Sequence, residues 1–432
     1  MKDFATSESP AVQAQLDRLA ALTLPQGRFG LETITEILER LDNPQKRLPP
    51  VFHVAGTNGK GSTCTYLRMI LEAEGLTVHS ATKPHLVRYN ERIRLAGHLI
   101  EDQMLADLLK EVLDTAEDLH PSFFEVTTAA IFLAFSRVPA DVCVIEVGLG
   151  GRFDATNVLE HPAACGIATL GIDHEAFLLR PEEGTPESPL ARIAFEKAGI
   201  ARPGVPLVTQ SYPEAARLEV ERIAGLAGAP LHVRGEDWWA NIGETIEYRD
   251  RFGTLTLPLP PHMPGVHQAD NAALAVSMLR HQDRVSVNAT SIAEGIRAAR
   301  WPARLQKLSS GPLTQYAGAR EVWLDGGHNP DAGQAIARHF KARPLHLVIG
   351  MLDNKDPQAL IEPLAGSLLS LTAVPIEGSP HHPAEAFGDT ARSAPDIATA
   401  LANLPADGVP VLIGGSLYLA GKVLKANGEL PD

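Results

Sequence analysis

The chain has 432 residues, more than one ordinary hydrophobic core accommodates, so we expect two or three domains. A hydrophobic content of 44% with 21% charged residues is typical of a globular protein rather than a disordered one. The formal net charge of −14 argues against a general binder of nucleic acid or of anionic membranes, so an anionic ligand would need local cations and backbone dipoles.

The first ten residues are polar and lack the apolar core of a secretory signal, and no apolar run is long enough to span a bilayer. Cys64, Cys143 and Cys165 lie far apart and form no CxxC pair. We therefore expect buried, unpaired cysteines and a location in the reducing cytoplasm.

The stretch from Val51 to Leu67 predicts a strand, a phosphate-binding loop and a helix, and it follows an N-terminal helical region that ends near Pro49. Backbone N–H groups of a glycine-rich turn can surround a polyphosphate, and a helix N-terminus favours negative charge. The alternative is a glycine-rich turn with a chance lysine. The residues of the predicted loop are Gly56, Thr57, Asn58, Gly59, Lys60, Gly61 and Ser62.

Strands and helices then alternate, which predicts a parallel sheet covered by helices on both faces. We interpret Thr82–Gly97 as a working loop with few apolar anchors. Because ligands bind at the carboxyl ends of parallel strands, we expect Lys60, Glu146 and the Asp173–His174 pair to face one crevice. The predicted strands are 76–81, 141–147 and 164–170, and the predicted helices are 66–74, 101–119 and 122–135.

The second half of the chain begins with a predicted small β excursion over 235–261 and helices over 271–280 and 291–299. We place a domain boundary at Trp301–Leu305, which gives domains of 1–300 and 301–432. Strands are predicted at 321–325, 345–350, 371–375 and 409–415. The predicted class is α/β, with an N-terminal P-loop domain around a parallel sheet and a smaller, Rossmann-like C-terminal domain.

Eleven short motifs together resemble the folylpolyglutamate synthase/dihydrofolate synthase family, which belongs to the wider Mur ligase group. They follow the family's order over nearly the whole chain. The motifs are GTNGKGS at 56–62, PHLVRYNERI at 84–93, FFEVTT at 123–128, EVGLGGRFDATN at 146–157, DH at 173–174, EKAGI at 196–200, HQADNAALA at 267–275, WPARL at 301–305, DGGHNP at 325–330, GMLDNKD at 350–356 and GGSLYLA at 414–420.

The resemblance implies a two-domain, Mur-ligase-like fold and an ATP-dependent amide ligase. Its acceptor would be 7,8-dihydropteroate or a reduced folate, activated as an acyl phosphate and attacked by the amine of L-glutamate. The cofactors implied are Mg²⁺, as two ions, with ATP as a substrate. The partners implied are small molecules, without nucleic acid or membrane, and we expect a monomer.

By the same resemblance, individual residues receive roles. Lys60, Lys197 and His328 would be catalytic, and Lys197 would be carbamylated. The metal ligands would be Ser62, Glu146, His174 and Lys197. ATP would contact residues 56–62 together with Asn271, Arg304, Asp325 and Tyr418. The folate would contact Phe29, Phe124, Asp154 and Ala155, and glutamate would contact His328 and Ser416.

The residues alone leave simpler interpretations open. Glu146 would be a solvated strand-end acid, and His174 a structural histidine. Lys197 would be a surface helix lysine, Asn271 a helix cap and Phe124 a core residue. Lys355 is a candidate for neutralising the acyl phosphate, and its simpler interpretation is a solvated cation.

Two features depart from the family pattern. Lys83 stands where relatives usually have the serine of SPHL, and Ala81 replaces a frequent tyrosine. A lysine there would favour a longer polyanionic glutamate tail, or only alter the loop. The segment between His174 and Lys197 is long, which leaves the relative placing of these two residues open.

Three other functions compete with the bifunctional ligase. The first is a ligase with only one of the two activities, and the second is a cell-wall Mur ligase. The third is a catalytically inactive ATP-binding scaffold, against which the retention of Lys60, Ser62, Glu146, His174 and Lys197 argues. Substrate-stimulated release of ADP separates a ligase from a scaffold.

Overall fold

The computed structural model describes residues 6–21, 30–341 and 343–431. Its internal contacts divide the chain into two compact units. The first extends to Pro260 and resumes over Gln268–Ala299, and the second comprises Pro261–His267 and the chain from Arg300 onward. The predicted α/β class is confirmed, while the assignment of separate binding roles to two domains stays a prediction.

The first unit is built on an eight-stranded sheet in the order β4-β3-β2-β5-β1-β6-β7-β8. All pairings from β2 to β8 are parallel, and β3 and β4 run antiparallel at one edge. The strands are β1 Val51–Ala55, β2 Val78–Ala81, β3 Ile93–Leu95, β4 His98–Leu99, β5 Val142–Glu146, β6 Ala164–Ile167, β7 Leu207–Thr209 and β8 Leu231–Val233.

Ten helices accompany this sheet in the described residues, and the last but one begins in the segment assigned to the second unit. They are α1 Pro10–Ala21, α2 Glu32–Arg40, α3 Lys60–Ala73, α4 Asp102–Ala116, α5 Phe123–Arg137, α6 Glu175–Leu178, α7 Pro189–Ala198, α8 Glu214–Ala227, α9 Val266–Arg280 and α10 Ala289–Ala298. One buried cluster joins α1, α2, α4 and α5 to β1 and β5, and another joins α7 and α8 to β6 and β7. Apolar burial on these helix stripes therefore fixes the sheet.

The interpretation of Thr82–Gly97 as a loop with few apolar anchors is wrong. This stretch contains a 3-10 turn over Tyr89–Arg92 and the strand β3, which pairs with β2. Tyr89, Ile93 and Leu95 are buried, and Arg94 between the last two is half-buried. That alternation has the period of a strand, but the three arginines hide it in a count of apolar residues.

The β excursion predicted over 235–261 is present as a three-stranded antiparallel sheet. Its strands are β9 Trp238–Ile242, β10 Thr245–Asp250 and β11 Gly253–Pro258. Trp238 and Tyr248 are buried on one of its faces, 6.0 Å apart between ring centroids. The three cysteines are buried and unpaired, as expected.

The second unit contains a six-stranded sheet in the order β12-β13-β17-β14-β15-β16, parallel except for β12. Its buried cluster includes Leu347, Ile349 and Leu412 of the central strands. The strands are β12 Gln306–Lys307, β13 Val322–Asp325, β14 Leu345–Ile349, β15 Leu368–Ala373, β16 Arg392–Ser393 and β17 Val411–Gly414, and the helices are α11 Pro330–Phe340, α12 Gln358–Leu364, α13 Ile397–Ala402 and α14 Leu417–Asn427.

Within the described part of the chain, no helix has the length and hydrophobicity needed to cross a membrane.

Candidate active site

The predicted phosphate loop connects β1 to α3. Gly56 and Gly59 have φ angles of +150° and +84°, a region of backbone conformation that side chains rarely allow. A methyl group on Gly56 would also come within 2.9 Å of the Ala168 side chain. Both glycines are therefore required by the turn, which directs the N-terminus of α3 toward the carboxyl edge of the sheet.

Two lysine side chains meet at this loop. Lys60 Nζ donates to the carbonyl oxygens of Gly56 and Thr57, at 3.0 and 3.1 Å, and Lys197 Nζ donates to the Gly56 carbonyl at 2.8 Å. Residues separated by 137 positions in the chain thus share one acceptor. The fold thus brings Lys197, near the end of α7, to the phosphate loop.

The interpretation of Lys197 as a surface lysine is wrong, since only 4% of the residue is exposed. Burial, with a smaller contribution from the charge of Lys60, lowers the pKa of Lys197 to about 7, and the carboxylate of Asp173 opposes the shift. A substantial fraction of the amine is therefore neutral near pH 7. The neutral amine is the form that reacts with carbon dioxide to give a carbamate.

Glu146 ends β5, the strand beside β1, and only 3% of the residue is exposed, so it is not a solvated acid. Its Oε2 accepts a hydrogen bond of 2.9 Å from the backbone N–H of Lys83. Ser62, in the first turn of α3, is equally buried. The carboxylate and the hydroxyl are oxygen donors of the kind that Mg²⁺ prefers.

His174 lies in a left-handed backbone conformation just before α6, and its side chain is 34% exposed. Its backbone N–H donates to Asp173 Oδ1 at 2.8 Å, and its Nε2 lies 4.0 Å from Asp173 Oδ2. This contact orients the residue, and the role of His174 as a metal ligand stays a prediction.

The long segment after His174 is tied to α7 by a cluster of four charged side chains. Arg152 and Arg192 each bridge Glu182 of the segment and Glu196 of α7, at N–O distances from 2.5 to 3.0 Å. Arg192 and Glu196 are each 5% exposed. Since Glu196 adjoins Lys197, the cluster holds the helix turn that carries this lysine.

Three of the four residues expected to bind metal have side chains that suit a divalent cation, and the fourth, Lys197, does not. Among the described residues, no group of three or more His, Cys, Asp or Glu side chains is arranged to hold a metal ion. The oxygens of Glu146 and Ser62 and the imidazole of His174 suit a divalent cation, whereas the amine of Lys197 does not. Lys197 fits this set only as a carbamate, whose oxygens replace the amine as donors.

Asp154 is the centre of the predicted folate contacts, and its carboxylate is already hydrogen-bonded at four positions. Oδ2 accepts from the backbone N–H groups of Gly148 and Leu149, both at 2.9 Å, and Oδ1 accepts from the N–H and hydroxyl of Thr156 at 3.0 and 2.5 Å. Burial raises the pKa of Asp154, but the charge of Lys83 and these hydrogen bonds lower it overall. A carboxylate has about four acceptor positions, so a pteridine would have to share one.

The other residues expected to contact folate differ in burial, and one of them is not described by the structure. The ring of Phe124 is half-buried against the core and lies 5.4 Å from that of Phe123, edge to face. Ala155 is buried beside Asp154. Phe29 lies outside the described residues.

Lys83, the departure noted in the sequence, points its ammonium group into this cluster. The Nζ atom is buried and has no hydrogen-bond partner among the described residues. A methyl group on Gly148 would lie 3.1 Å from Asp154 Oδ2 and 3.4 Å from Lys83 Nζ, so this glycine leaves room for both side chains. Burial lowers the pKa of Lys83, and the charge of Asp154 opposes the change.

Asn271 lies in the second turn of α9, which begins at Val266, so the interpretation of Asn271 as a helix cap is wrong. A methyl group on Gly59 would come within 2.3 Å of Asn271 Oδ1. The Asn271 side chain therefore covers the glycine that precedes α3, close to the predicted phosphate site. Asn271 Nδ2 also donates to Gln268 Oε1 at 3.3 Å.

In the second unit, Asp325 at the end of β13 organises the WPARL stretch. Its Oδ2 accepts from the backbone N–H of Leu305 at 2.8 Å and its Oδ1 from that of Gly327 at 2.7 Å. Burial raises the pKa of Asp325, while the charge of Arg304 opposes the change. Ala303 and Leu305 have positive φ angles of 55° and 46°, so the conformation around Arg304 is strained and held by these hydrogen bonds.

The predicted glutamate contacts follow β13 and β17, which pair in parallel with Asp325 opposite Gly414. His328 Nδ1 lies 3.2 Å from the Gly326 carbonyl oxygen. Ser416 caps α14 by accepting from the Tyr418 N–H at 3.1 Å. These residues therefore share one edge of the second sheet. Lys355 is half-buried, so it is not a fully solvated cation.

Curated relatives match this chain over most of its length. The chain is 31% identical over 427 residues to the folylpolyglutamate synthase of Lacticaseibacillus casei, covering 90% of this chain and 92% of the relative. It is 34% identical over 363 residues to the dihydrofolate synthase/folylpolyglutamate synthase of Escherichia coli strain K12, covering 81% and 78%. No protein-family model matches the chain.

Among solved structures, the fold resembles a crystal structure of a bifunctional folylpolyglutamate synthase/dihydrofolate synthase with Mn, AMPPNP and L-glutamate bound. The TM-score is 0.83 at 30% sequence identity, and the match covers 96% of this chain and 97% of the other. The likeness therefore extends over nearly the full length of both chains.

Proposed function

Since this chain belongs to the folylpolyglutamate synthase/dihydrofolate synthase family, we propose that it is an ATP-dependent ligase that joins L-glutamate to a pteroyl acceptor. The acceptors are 7,8-dihydropteroate, which gives dihydrofolate, and reduced folates, which gain a glutamate residue. The observation that carries the assignment is the convergence of Lys60 and Lys197 on the Gly56 carbonyl at the start of α3, beside the strand that ends in Glu146.

The reaction has two steps. An oxygen of the acceptor carboxylate attacks the γ-phosphorus of ATP, and the bond from that phosphorus to the oxygen bridging it to the β-phosphorus breaks to release ADP. The amine of L-glutamate then attacks the acyl carbon, loses a proton and expels phosphate. Both steps bring anions together, so the site must supply positive charge and oriented donors.

The first unit supplies the nucleotide contacts in this proposal. The N–H groups of residues 56–62 and the dipole of α3 bind the phosphates. Lys60 exchanges its two loop carbonyls for phosphate oxygens, so its half-buried ammonium group keeps hydrogen-bond partners when ATP binds. Asn271, which covers Gly59, reads the adenine.

A divalent cation held by Ser62, Glu146, His174 and carbamylated Lys197 would neutralise the phosphate oxygens, and the resemblance implies two such ions. Carbamylation is supported by the neutral fraction of the buried Lys197 amine.

The second unit supplies the remaining proposed contacts. Arg304, fixed between two strained residues and beside Asp325, contacts ATP phosphate, and Tyr418 lies against the adenine. His328 and Ser416, at the same sheet edge, bind the incoming glutamate. Phe124, Asp154 and Ala155 bind the pteridine in the first unit, with Asp154 sharing an acceptor position. The cytoplasmic location and the monomeric state stay predictions from the sequence.

Incorporation of labelled L-glutamate into a pteroyl acceptor tests this function. We expect the wild-type protein to form product only with ATP and acceptor present. We expect Lys60→Ala and Glu146→Gln to lose at least about 100-fold in rate, because Lys60 supplies positive charge to the phosphates and Glu146 would hold the cation that neutralises them. Lys46→Ala is the matched control, because Lys46 is 56% exposed and pairs only loosely with Glu160. Near-normal rates in either site variant would overturn the assignment.

A further inference from the structure

The ammonium group of Lys83 is buried, and the described residues offer it no hydrogen-bond partner. An ammonium carries three N–H donors and no acceptor, and a buried donor without a partner is costly. Such a group in a native structure usually faces a ligand or an ordered water. The hydrogen bonds of Lys83 Nζ are therefore available to an acceptor that belongs to a ligand.

The carboxylate of Asp154 lies beside this ammonium group. A methyl group on Gly148 would lie 3.1 Å from Asp154 Oδ2 and 3.4 Å from Lys83 Nζ, so both atoms border the same position in front of this glycine. The charge of Asp154 also opposes the lowering of the Lys83 pKa by burial. A ligand edge that contacts Asp154 at this position therefore comes within reach of Lys83 as well.

Asp154 is poorly equipped to recognise such a ligand by itself. Its Oδ2 already accepts from the N–H groups of Gly148 and Leu149, and its Oδ1 from the N–H and hydroxyl of Thr156. Because a carboxylate has about four acceptor positions, a further donor can only share one of them. Asp154 thus contributes mainly negative charge, whereas Lys83 contributes hydrogen bonds that no described residue uses.

The pteridine of the proposed substrate has an edge that suits this pair. In a 2-amino-4-oxopteridine the 2-amino group and N3–H are donors, and the oxygen O4 is the acceptor next to them. A carboxylate attracts the two donors, whereas an ammonium, which only donates, can bind O4. A hydrogen bond from a charged donor is also stronger than one between neutral groups. Asp154 and Lys83 together therefore complement both kinds of group on this edge.

The other end of the substrate does not fit the same position. A methylene and an aminobenzoyl group separate the carboxylate of a pteroyl acid from its pteridine. When the ring lies at Asp154, the carboxylate therefore lies well away from Gly148 and from Lys83 Nζ beside it. Lys60, which contacts the phosphate loop, is the cation placed near the phosphoryl group.

We propose that Lys83 is a substrate-binding residue whose ammonium group donates a hydrogen bond to the O4 oxygen of the pteridine ring. The inference rests on the proposed function and deepens it, since it takes a pteroyl acid bound at Asp154 as the ligand. Lys83 takes no part in phosphoryl transfer. It determines which ring the site accepts, because a 4-amino group in place of O4 is a donor and meets the ammonium unfavourably.

A double-mutant cycle tests this contact by binding measurements that need no turnover. Isothermal titration in the presence of Mg-ADP compares 7,8-dihydropteroate with the analogue that carries a 4-amino group in place of the 4-oxo group. Both ligands have the same carboxylate, so any contact with that end cancels. We expect the wild-type protein to prefer the 4-oxo ligand. Lys83→Met should reduce that preference by about 10- to 100-fold, the usual effect of one hydrogen bond to a charged group.

The remaining variants separate this role from a structural one. Lys83→Arg keeps a charged donor and should lower the preference by no more than about fivefold, whereas the exposed Lys46→Met should behave as wild type. Lys83→Ser, which also removes the ammonium, replaces Lys83→Met in the cycle if circular dichroism shows that Lys83→Met is unfolded. The affinity for ADP should change less than about twofold in every folded variant, because the nucleotide does not contact this residue.

Three results would overturn the proposal. The first is a preference for the 4-oxo ring in Lys83→Met equal to that of the wild type, and the second is an equal loss of affinity for both ligands, which would place the contact away from position 4. The third is a wild-type protein that binds neither ligand. Failure of the proposed function is seen separately, as absence of glutamate incorporation by the wild-type protein. A wild-type protein that incorporates glutamate but shows no coupling between Lys83 and position 4 would refute only this inference.

Discussion

At the scale of single residues, burial decides which groups carry charge. The Nδ1 atom of His85 accepts a hydrogen bond of 2.9 Å from Arg92 Nε, so this nitrogen carries no proton. Burial, assisted by the charge of Arg92, lowers the pKa of His85 to about 3. The contact holds the turn that follows Lys83, and it can form only with a neutral imidazole.

This state of His85 predicts a dependence of stability on pH. An unfolded histidine has a pKa of about 6.5, so below that value the unfolded state binds a proton that the folded state does not. Stability is therefore present above pH 6.5 and falls as the pH falls toward 3. Between pH 6.5 and 4.5 the loss from this one group amounts to about 2 to 3 kcal/mol.

His85→Asn, which keeps an acceptor for Arg92, should remove this loss. In urea unfolding, the stability of the wild-type protein relative to His85→Asn should decrease by about 2 to 3 kcal/mol when the pH is lowered from 6.5 to 4.5. The exposed His98→Asn is the control, and its stability relative to wild type should hardly change with pH. A constant difference between His85→Asn and wild type would contradict a neutral His85.

The sequence predicts residues such as Lys60 because their partners lie within the same motif. Lys197 is different: its burial depends on Gly56, 141 positions away, and only the resemblance singled it out. The donors to Asp154 all lie within its own loop, over residues 148–156, whereas the position of the unpaired Lys83 ammonium beside Gly148 depends on a contact between separate loops. A local sequence pattern contains no information about contacts between distant residues. The burial and charge of Lys83 and Lys197 could therefore not be predicted from it.

At the scale of elements, the phosphate loop depends on glycine for two separable reasons. Gly59 requires a positive φ angle of 84°, and it also contacts Asn271. Gly75, after α3, has a similar φ angle of 89°, but a methyl group there would meet no heavy atom of the described chain within 4 Å. Alanine substitutions at Gly59 and Gly75 therefore distinguish the effect of backbone strain from the effect of a changed binding loop.

Gly59→Ala and Gly75→Ala should each cost about 1 to 2 kcal/mol of stability, because both place a side chain in the left-handed region. Only Gly59→Ala should also weaken ATP binding, by at least about tenfold, because its methyl group would displace Asn271 and open the turn. Thermal unfolding and titration with ATP measure the two effects. Equal ATP affinities in the two variants would show that glycine is required at position 59 only for its backbone conformation and not for ATP binding.

Element prediction succeeded where hydrophobic period and capping signals agree. The helix α5, predicted over 122–135, begins after Ser122, whose hydroxyl accepts from the Glu125 N–H while the Glu125 carboxylate accepts from the Ser122 N–H. It failed at β3, where arginines mask an alternating strand, and at the start of α9, which precedes Asn271 by five residues. In both cases tertiary packing outweighs local composition.

At the scale of the whole molecule, the net charge of −14 contrasts with the anionic substrates of the proposed reaction. The chain meets this contrast locally, with the cationic side chains of Lys60 and Lys83 in the first unit and of Arg304 in the second. A general anion binder would spread its cations over the surface. We therefore expect specificity for a few anions in defined positions, as a ligase with three substrates requires.

The two compact units each end their central strands in predicted ligand contacts, Glu146 in the first and Asp325 in the second. Their separate sheets explain why the motifs are distributed over nearly the whole chain. The chain covers 92% and 78% of its relatives from Lacticaseibacillus casei and Escherichia coli, so the whole ligase reaction is the function to test.

Release of ADP by the purified wild-type protein tests the central claim most directly. The assay contains Mg-ATP and L-glutamate, with 7,8-dihydropteroate in one tube, a reduced folate in a second and no acceptor in a third. We predict acceptor-dependent release in the first two tubes and only background in the third. Release in one tube alone would assign a single activity. Background release in all three tubes, with ATP still bound by the protein, would contradict the assignment as a ligase.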